Sequence, residues 1–157
     1  MLENPSFSPA TALTPSLQLT ADQRALQDTA RHIAETVAEP LAAQTDQSEQ
    51  YPVAVVDALT EAGLMGMCVP ADLDGPGRST FDVALVVEEL AVRCGVSGRI
   101  AVEGNMGAVG AILKYGSPEQ REIAARHVLG GDKPAICITE PDAGSDPGGM
   151  KTRAVKV

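Results

Sequence analysis

The chain of 157 residues is long enough for one domain with a sizeable core, and its 44% hydrophobic and 21% charged residues are ordinary for a globular protein. A formal net charge of -9 and only 3% aromatic residues, with no Trp, argue against nucleic acid, because phosphate binding needs clustered Lys and Arg and single strands need stacking rings. There is no apolar run of membrane-spanning length and no basic segment leading into an apolar N-terminal stretch, and Cys68, Cys94 and Cys137 lie too far apart for a disulfide framework or a zinc site. The expectation is a cytoplasmic protein with no membrane partner, no metal and reduced cysteines in its core.

Residues 1–18 carry Pro5, Pro9 and Pro15 among Ser, Thr and Ala and read as a loose tail. Thr20 with Gln23 three residues on is a capping-box pattern, and Leu26, Ala30, Ile33, Val37 and Leu41 follow at helical spacing. Pro40 is expected to kink or end that helix, since its ring removes a donor and crowds the preceding turn. Pro52 opens a second helix with Val56 and Leu59 on one side and Gly63 as terminator. Residues 64–78 are irregular, and Ser79 or Thr80 caps a third helix through Val83, Val87 and Leu90 to Gly95.

A fourth helix is expected from about Arg99 to Tyr115. It contains Gly104, Gly107 and Gly110, each disfavoured by about 1 kcal/mol against Ala and therefore suited to a place where a neighbour must approach closely. Ser117-Pro118-Glu119-Gln120 is a second capping box, and the fifth helix ends at Gly130-Gly131. The pattern then changes: Lys133 to Thr139 is a short β-type run, Glu140 to Gly149 is a turn-rich loop, and Thr152 to Val157 reads as another strand. The chain thus divides into a tail (1–18), an all-α domain of about five helices (19–131) and the opening of a β domain (132–157). Two strands alone are marginal in water, so the β part is expected to be incomplete and the whole a fragment.

The run from Ile136 to Asp146, Ile-Cys-Ile-Thr-Glu-Pro-Asp-Ala-Gly-Ser-Asp, resembles the Thr-Glu-Pro-x-x-Gly-Ser-Asp signature of acyl-CoA dehydrogenases. The order of features supports it: helices, then Tyr115-Gly-Ser-Pro-Glu-Gln120, a Gly-Asp pair, the signature, and Lys151-Thr152. The resemblance covers about residues 19–157. It implies that the β part begins a barrel domain, that the cofactor is FAD, and that the enzyme is a homo-oligomer, tetramer or dimer. The backbone from Ile136 to Ile138 and the Thr139 hydroxyl would touch the flavin, and Gly144 and Ser145 would meet the FAD phosphates or the CoA end of the substrate. Read without the resemblance, a strand running into a loop with Thr139, Gly144 and Ser145 offers hydroxyls and exposed amides of the kind that hold a ring edge and a pyrophosphate.

Gly98-Arg-Ile-Ala-Val-Glu-Gly-Asn105 falls where the family's helix lines the deep end of the acyl pocket. Arg99 and Glu103, four apart, share one helix face. A guanidinium there suits an acyl chain ending in an anion, by a bidentate fork, so Arg99 and Glu103 are the expected substrate-binding pair. Within the family, Glu49-Gln-Tyr-Pro52, Gly66-Met67, Gly98-Arg-Ile100, Gly107-Ala-Val-Gly-Ala111 and Asp132-Lys-Pro-Ala-Ile-Cys137 resemble the branch of desulfinases acting on 3-sulfinopropionyl-CoA. Asp72 to Gly77 departs from the family, which prefers a Gly-Gly pair there. The family's catalytic base belongs to a C-terminal helical domain and is expected outside this chain, which leaves α,β-dehydrogenation and desulfination both open and the chain alone inactive. Two other readings stand beside the flavoenzyme: the small subunit of a split acyl-CoA dehydrogenase, and a non-catalytic helical interaction domain. His32 and His127 are expected at solvated positions.

Overall fold

The computed structural model describes residues 18–156; the tail expected over 1–18 lies outside the described residues except for its last position. Helix α1 (Ala21–Ile33) starts on a complete capping box, in which the Gln23 amide donates to Thr20 Oγ1 and the Thr20 amide donates to Gln23 Oε1, both at 3.1 Å. It passes through a π-helical turn (Ala34–Ala38) into α2 (Glu39–Ser48). Pro40 therefore does not end the helix, one of the two outcomes expected of it, and a π-helical turn stands directly before it. The Glu39 amide reaches five residues back to the Ala34 carbonyl, and this wider turn makes room for a ring that an ordinary α turn would exclude.

Helix α3 (Val53–Glu61) ends as the sequence suggests: Gly63 takes φ +68° and the Leu64 amide donates back to the Leu59 carbonyl at 2.8 Å. Helix α4 (Thr80–Arg93) starts on a box formed by Ser79 and Asp82. The helix expected over Arg99–Tyr115 begins earlier and is two: α5 (Gly95–Asn105) and α6 (Ala108–Tyr115), parted at Met106–Gly107. Helix α7 (Pro118–Leu129) starts on the Ser117–Gln120 box and ends just before Gly130. The five expected helical regions are thus all present, two of them subdivided.

One apolar core joins α1, the π turn, α3, α4, α5 and residues 64–67, with Ala30, Leu59, Met67, Val83, Val86 and Leu90 fully enclosed. A smaller cluster, Val69, Val109, Ala125 and Val128, holds α6 and α7 to the segment that follows the main core. Two glycines mark the closest approaches. A Cβ on Gly98 would stand 2.7 Å from that of Ala91 on α4, and one on Gly104 would stand 2.5 Å from Met65 Cε. No helix among the described residues is long and apolar enough to cross a membrane.

No strand forms among the described residues. Residues 132–139 run without regular secondary structure into an isolated bridge between Glu140 and Ala143, and 150–156 are likewise irregular. The strand expected at Lys133–Thr139 is therefore not realised, nor is the one expected at Thr152–Val157 over its described residues 152–156, Val157 lying outside the described residues. A strand is a property of a hydrogen-bonded pair, and these runs find no partner. The same lack leaves Cys137 exposed, against the expectation of a buried thiol, whereas Cys94 is buried and Cys68 half-buried.

Candidate functional site

Helix α5 is anchored before it presents anything. The Asn105 side chain, fully enclosed, accepts from the Met67 amide at 2.6 Å and donates to the Leu64 and Ala101 carbonyls at 2.9 and 2.8 Å. The Gly66 amide adds a bond to the Gly104 carbonyl at 3.2 Å. The helix then stops, and Gly107 opens α6 with the Glu103 carboxylate packed against it so closely that a Cβ there would collide with Glu103 Oε2. Glu103 thereby keeps only 12% of its side chain exposed. Arg99, one turn earlier, pairs with it through Nη2 and remains 73% exposed. A guanidinium carries five N–H donors, so this contact leaves most of them directed at the surroundings.

Arg99 and Glu103 share one open cleft of about 520 Å³ with Lys133, Ala135, Ile136, Ile138 and Thr139. Two elements make the cleft: α5, and the irregular run after α7, which contributes Lys133, Ala135, Ile136, Ile138 and Thr139. The structure thus brings together Arg99, Glu103, Ile136, Ile138 and Thr139 from opposite ends of the sequence pattern. Gly144 and Ser145 lie outside this cleft, beyond the Glu140–Ala143 bridge, and both are exposed. Lys133 and Ala135 are the members that the sequence reading missed, and Lys133 is the charged one. The signal for Lys133 was its place directly after Gly130-Gly131-Asp132, where the chain turns from α7 into the run that lines the cleft.

The fit of this wall to a flavin rests on its backbone. From Pro134 to Thr139 no amide or carbonyl is engaged in a backbone hydrogen bond among the described residues, and the Thr139 side chain is exposed. A run of free backbone carbonyls and, after Pro134, free amides, flanked by apolar side chains, suits the edge of a flat heteroaromatic ring. A larger apolar groove of about 670 Å³ lies between α6, α7 and residues 132–134, lined by Ile112, Tyr115, Ile123 and Pro134 among others, and holds none of the expected site residues. His32 and His127 are both exposed; His127 Nδ1 lies 3.3 Å from Asp132 Oδ2, a partner that sequence alone did not reveal. Among the described residues no three His, Cys, Asp or Glu side chains gather as a metal site would require.

The family model described as "Acyl-CoA dehydrogenase, N-terminal domain" matches residues 20–132. A curated relative, the 3-sulfinopropanoyl-CoA desulfinase of Paraburkholderia xenovorans strain LB400, is 59% identical over 137 residues, which are 87% of this chain and 35% of that protein. The crystal structure of glutaryl-CoA dehydrogenase from Mycobacterium smegmatis matches with a TM-score of 0.79 at 29% identity, over 88% of this chain and 36% of that one. A structure of a glutaryl-CoA dehydrogenase from the same organism in complex with FADH2 matches with a TM-score of 0.75 at 26% identity, over 85% of this chain and 35% of that one. The chain therefore spans about a third of the length of the relatives it matches.

Proposed function

This chain belongs to the acyl-CoA dehydrogenase family, and from that premise we propose that it forms the helical wall of an FAD-dependent site for a short acyl-CoA whose acyl chain ends in an anion. The reading rests on one observation above all: Arg99 and Glu103 of α5 stand in the same cleft as Ile136, Ile138 and Thr139, the run assigned to the flavin. FAD, when bound, supplies a two-electron acceptor. This chain's own part is to present backbone groups of residues 136–138 and the Thr139 hydroxyl to the ring edge, to offer Gly144 and Ser145 to phosphates of FAD or CoA, and to hold a cation at the far end of the acyl chain. The stretch 132–157 is then the opening of the barrel domain, and the enzyme a cytoplasmic homo-oligomer.

The substrate of first choice is 3-sulfinopropionyl-CoA, with C–S bond cleavage as the reaction; succinyl-CoA offers the same tail chemistry. Relatives of that activity are 59% and 57% identical to this chain over their aligned stretches. Glu103 holds Arg99 from below by one nitrogen, which orients the fork without exhausting it, and Lys133 adds a second positive charge to the cleft. α,β-Dehydrogenation is the second reading, favoured by the 35% identity to the short-chain specific acyl-CoA dehydrogenase of Bos taurus.

The test replaces Arg99 with Met in the complete enzyme, which keeps length and removes charge. Binding of the anionic acyl-CoA is expected to weaken by well over tenfold, about 1.4 kcal/mol per decade. Butyryl-CoA should be unaffected or improved. Equal losses for both substrates would make Arg99 a structural residue and overturn the substrate assignment.

A further inference from the structure

We propose that Glu140 is a positioning residue that clasps the loop 140–152 shut at its base and so holds the Gly144–Ser145 tip out toward a phosphate; the role assumes the cofactor reading of that tip given above. The clasp is built from two successive backbone amides on the returning chain. The Lys151 amide donates to Glu140 Oε2 at 2.7 Å and the Thr152 amide donates to Glu140 Oε1 at 3.0 Å. Each carboxylate oxygen thus takes one amide, and the two ends of the loop meet at a single side chain.

Everything inside the loop is arranged around that closure. The Glu140 amide and the Ala143 carbonyl bond at 3.0 Å, and the Ala143 amide returns to the Glu140 carbonyl at 3.1 Å, which turns the chain tightly over Pro141 and Asp142. Ala143 is buried beneath this turn. Asp142 pairs with the Lys151 ammonium, and its carbonyl lies so close to Gly149 that a Cβ there would collide with it. Asp146 Oδ1 accepts from the Gly148 amide at 2.8 Å and settles the far side of the tip. Between these supports only Gly144 and Ser145 stand free, with open space around the position of a Gly144 Cβ.

A carboxylate suits this place better than its neutral analogue. Two parallel amides need two acceptors, and an amide side chain would turn its own NH2 against one of them. The amides of Lys151 and Thr152 accordingly hold the Glu140 carboxyl below the usual carboxylate range. Glu140 also follows Thr139 directly, so the turn that presents the Thr139 hydroxyl to the cleft is the root of the clasp. A movement of one is transmitted to the other through a single peptide.

The experiment has two arms. In the 157-residue chain, the Lys151 and Thr152 amide resonances are followed from neutral to acid pH, in wild type and in Glu140→Gln. Both should move on one carboxyl titration in wild type and lose it in the variant, with amide exchange across residues 144–152 at least tenfold faster. In the flavin-loaded holoenzyme, Glu140→Gln should raise the FAD dissociation constant at least tenfold while kcat at saturating FAD changes less than threefold, and Glu140→Asp should recover part of the affinity. Amides that titrate alike in wild type and variant would overturn the clasp. A lost clasp with unchanged FAD affinity would overturn the positioning role. A complete wild-type enzyme that takes up no FAD would overturn the cofactor reading itself, a result separate from the first arm.

Discussion

Asn105 carries a larger share of the structure than its single side chain suggests, because both of its donors and one acceptor are spent on buried backbone. Met67 and Leu64, whose amide and carbonyl it satisfies, are themselves enclosed. Asn105→Ala should leave both groups without partners, at about 1–3 kcal/mol for each, and destabilise the chain by roughly 2–6 kcal/mol in total. With the urea slopes usual for small domains, the midpoint should fall by roughly 1 M or more at unchanged slope. A change under about 0.5 kcal/mol would mean that water reaches these groups and that the 64–67 segment is not tied to α5. The glycines around Asn105 were legible in part. The sequence argues that Gly inside a helix signals close approach, and this holds at Gly104 against Met65; the equally close approach of Gly98 to Ala91 was not foreseen, because the helix was expected to begin only at Arg99. It does not hold at Gly110, around which there is open space, and at Gly107 the residue marks the end of one helix and the start of another.

The helix ends are where local sequence speaks most clearly, since a cap needs only residues within one turn of each other. Thr20–Gln23 and Ser117–Gln120 form the boxes their spacing predicts, and Ser79 caps α4 with Asp82 as its reciprocal partner. What spacing cannot show is that two of these caps are joined. Gln23 Nε2 donates to Asp82 Oδ1 at 3.0 Å, and Arg78 pairs with Asp22 at 2.5 Å, so the starts of α1 and α4 share one polar cluster. The Arg78 hydrogen bond holds the Asp22 carboxyl below its ordinary range, and the Gln23 and Ser79 bonds do the same for Asp82. Both folded values are depressed, so the stability these groups supply is complete above the unfolded value, roughly pH 4, and is lost as pH falls through the lower folded values. The urea midpoint should be level from neutral pH down to about pH 5 and decline below roughly pH 4. Asp82→Asn should lower it at neutral pH and flatten part of the acid decline. A variant that reproduces the full wild-type decline would remove Asp82 from the account. The π turn was hidden for the complementary reason: Pro40 is locally a breaker, and only the packed rod from α1 to α2 makes the wider turn the better solution.

Across the whole molecule, sequence and structure part company where long-range pairing begins. The helical regions and their core faces follow from periodicity, because each helix satisfies its own backbone. The β-type pattern of 133–139 is equally plain, yet pattern selects a conformation and not a partner, and the run stays unpaired among the described residues. The candidate site sits on this seam: Arg99 and Glu103 needed only helical spacing to be linked, while their meeting with Ile136, Ile138 and Thr139 required the fold. The unpaired run also has a consequence for the chain as a substance. Ile136 and Ile138 are exposed beside backbone groups that want neighbours, which is the chemistry of an uncapped sheet edge. Two chains meeting there would satisfy each other's amides, so crowding is expected to drive self-association through 133–139 while the helical part stays folded. Light scattering should show mass rising with protein concentration, and Ile136→Lys should restore a constant mass by placing like charges face to face; a mass independent of concentration in the unsubstituted chain would show the edge to be inert. The adhesive that fits this run for a flavin and a neighbouring strand is, in the solitary chain, a colloidal liability.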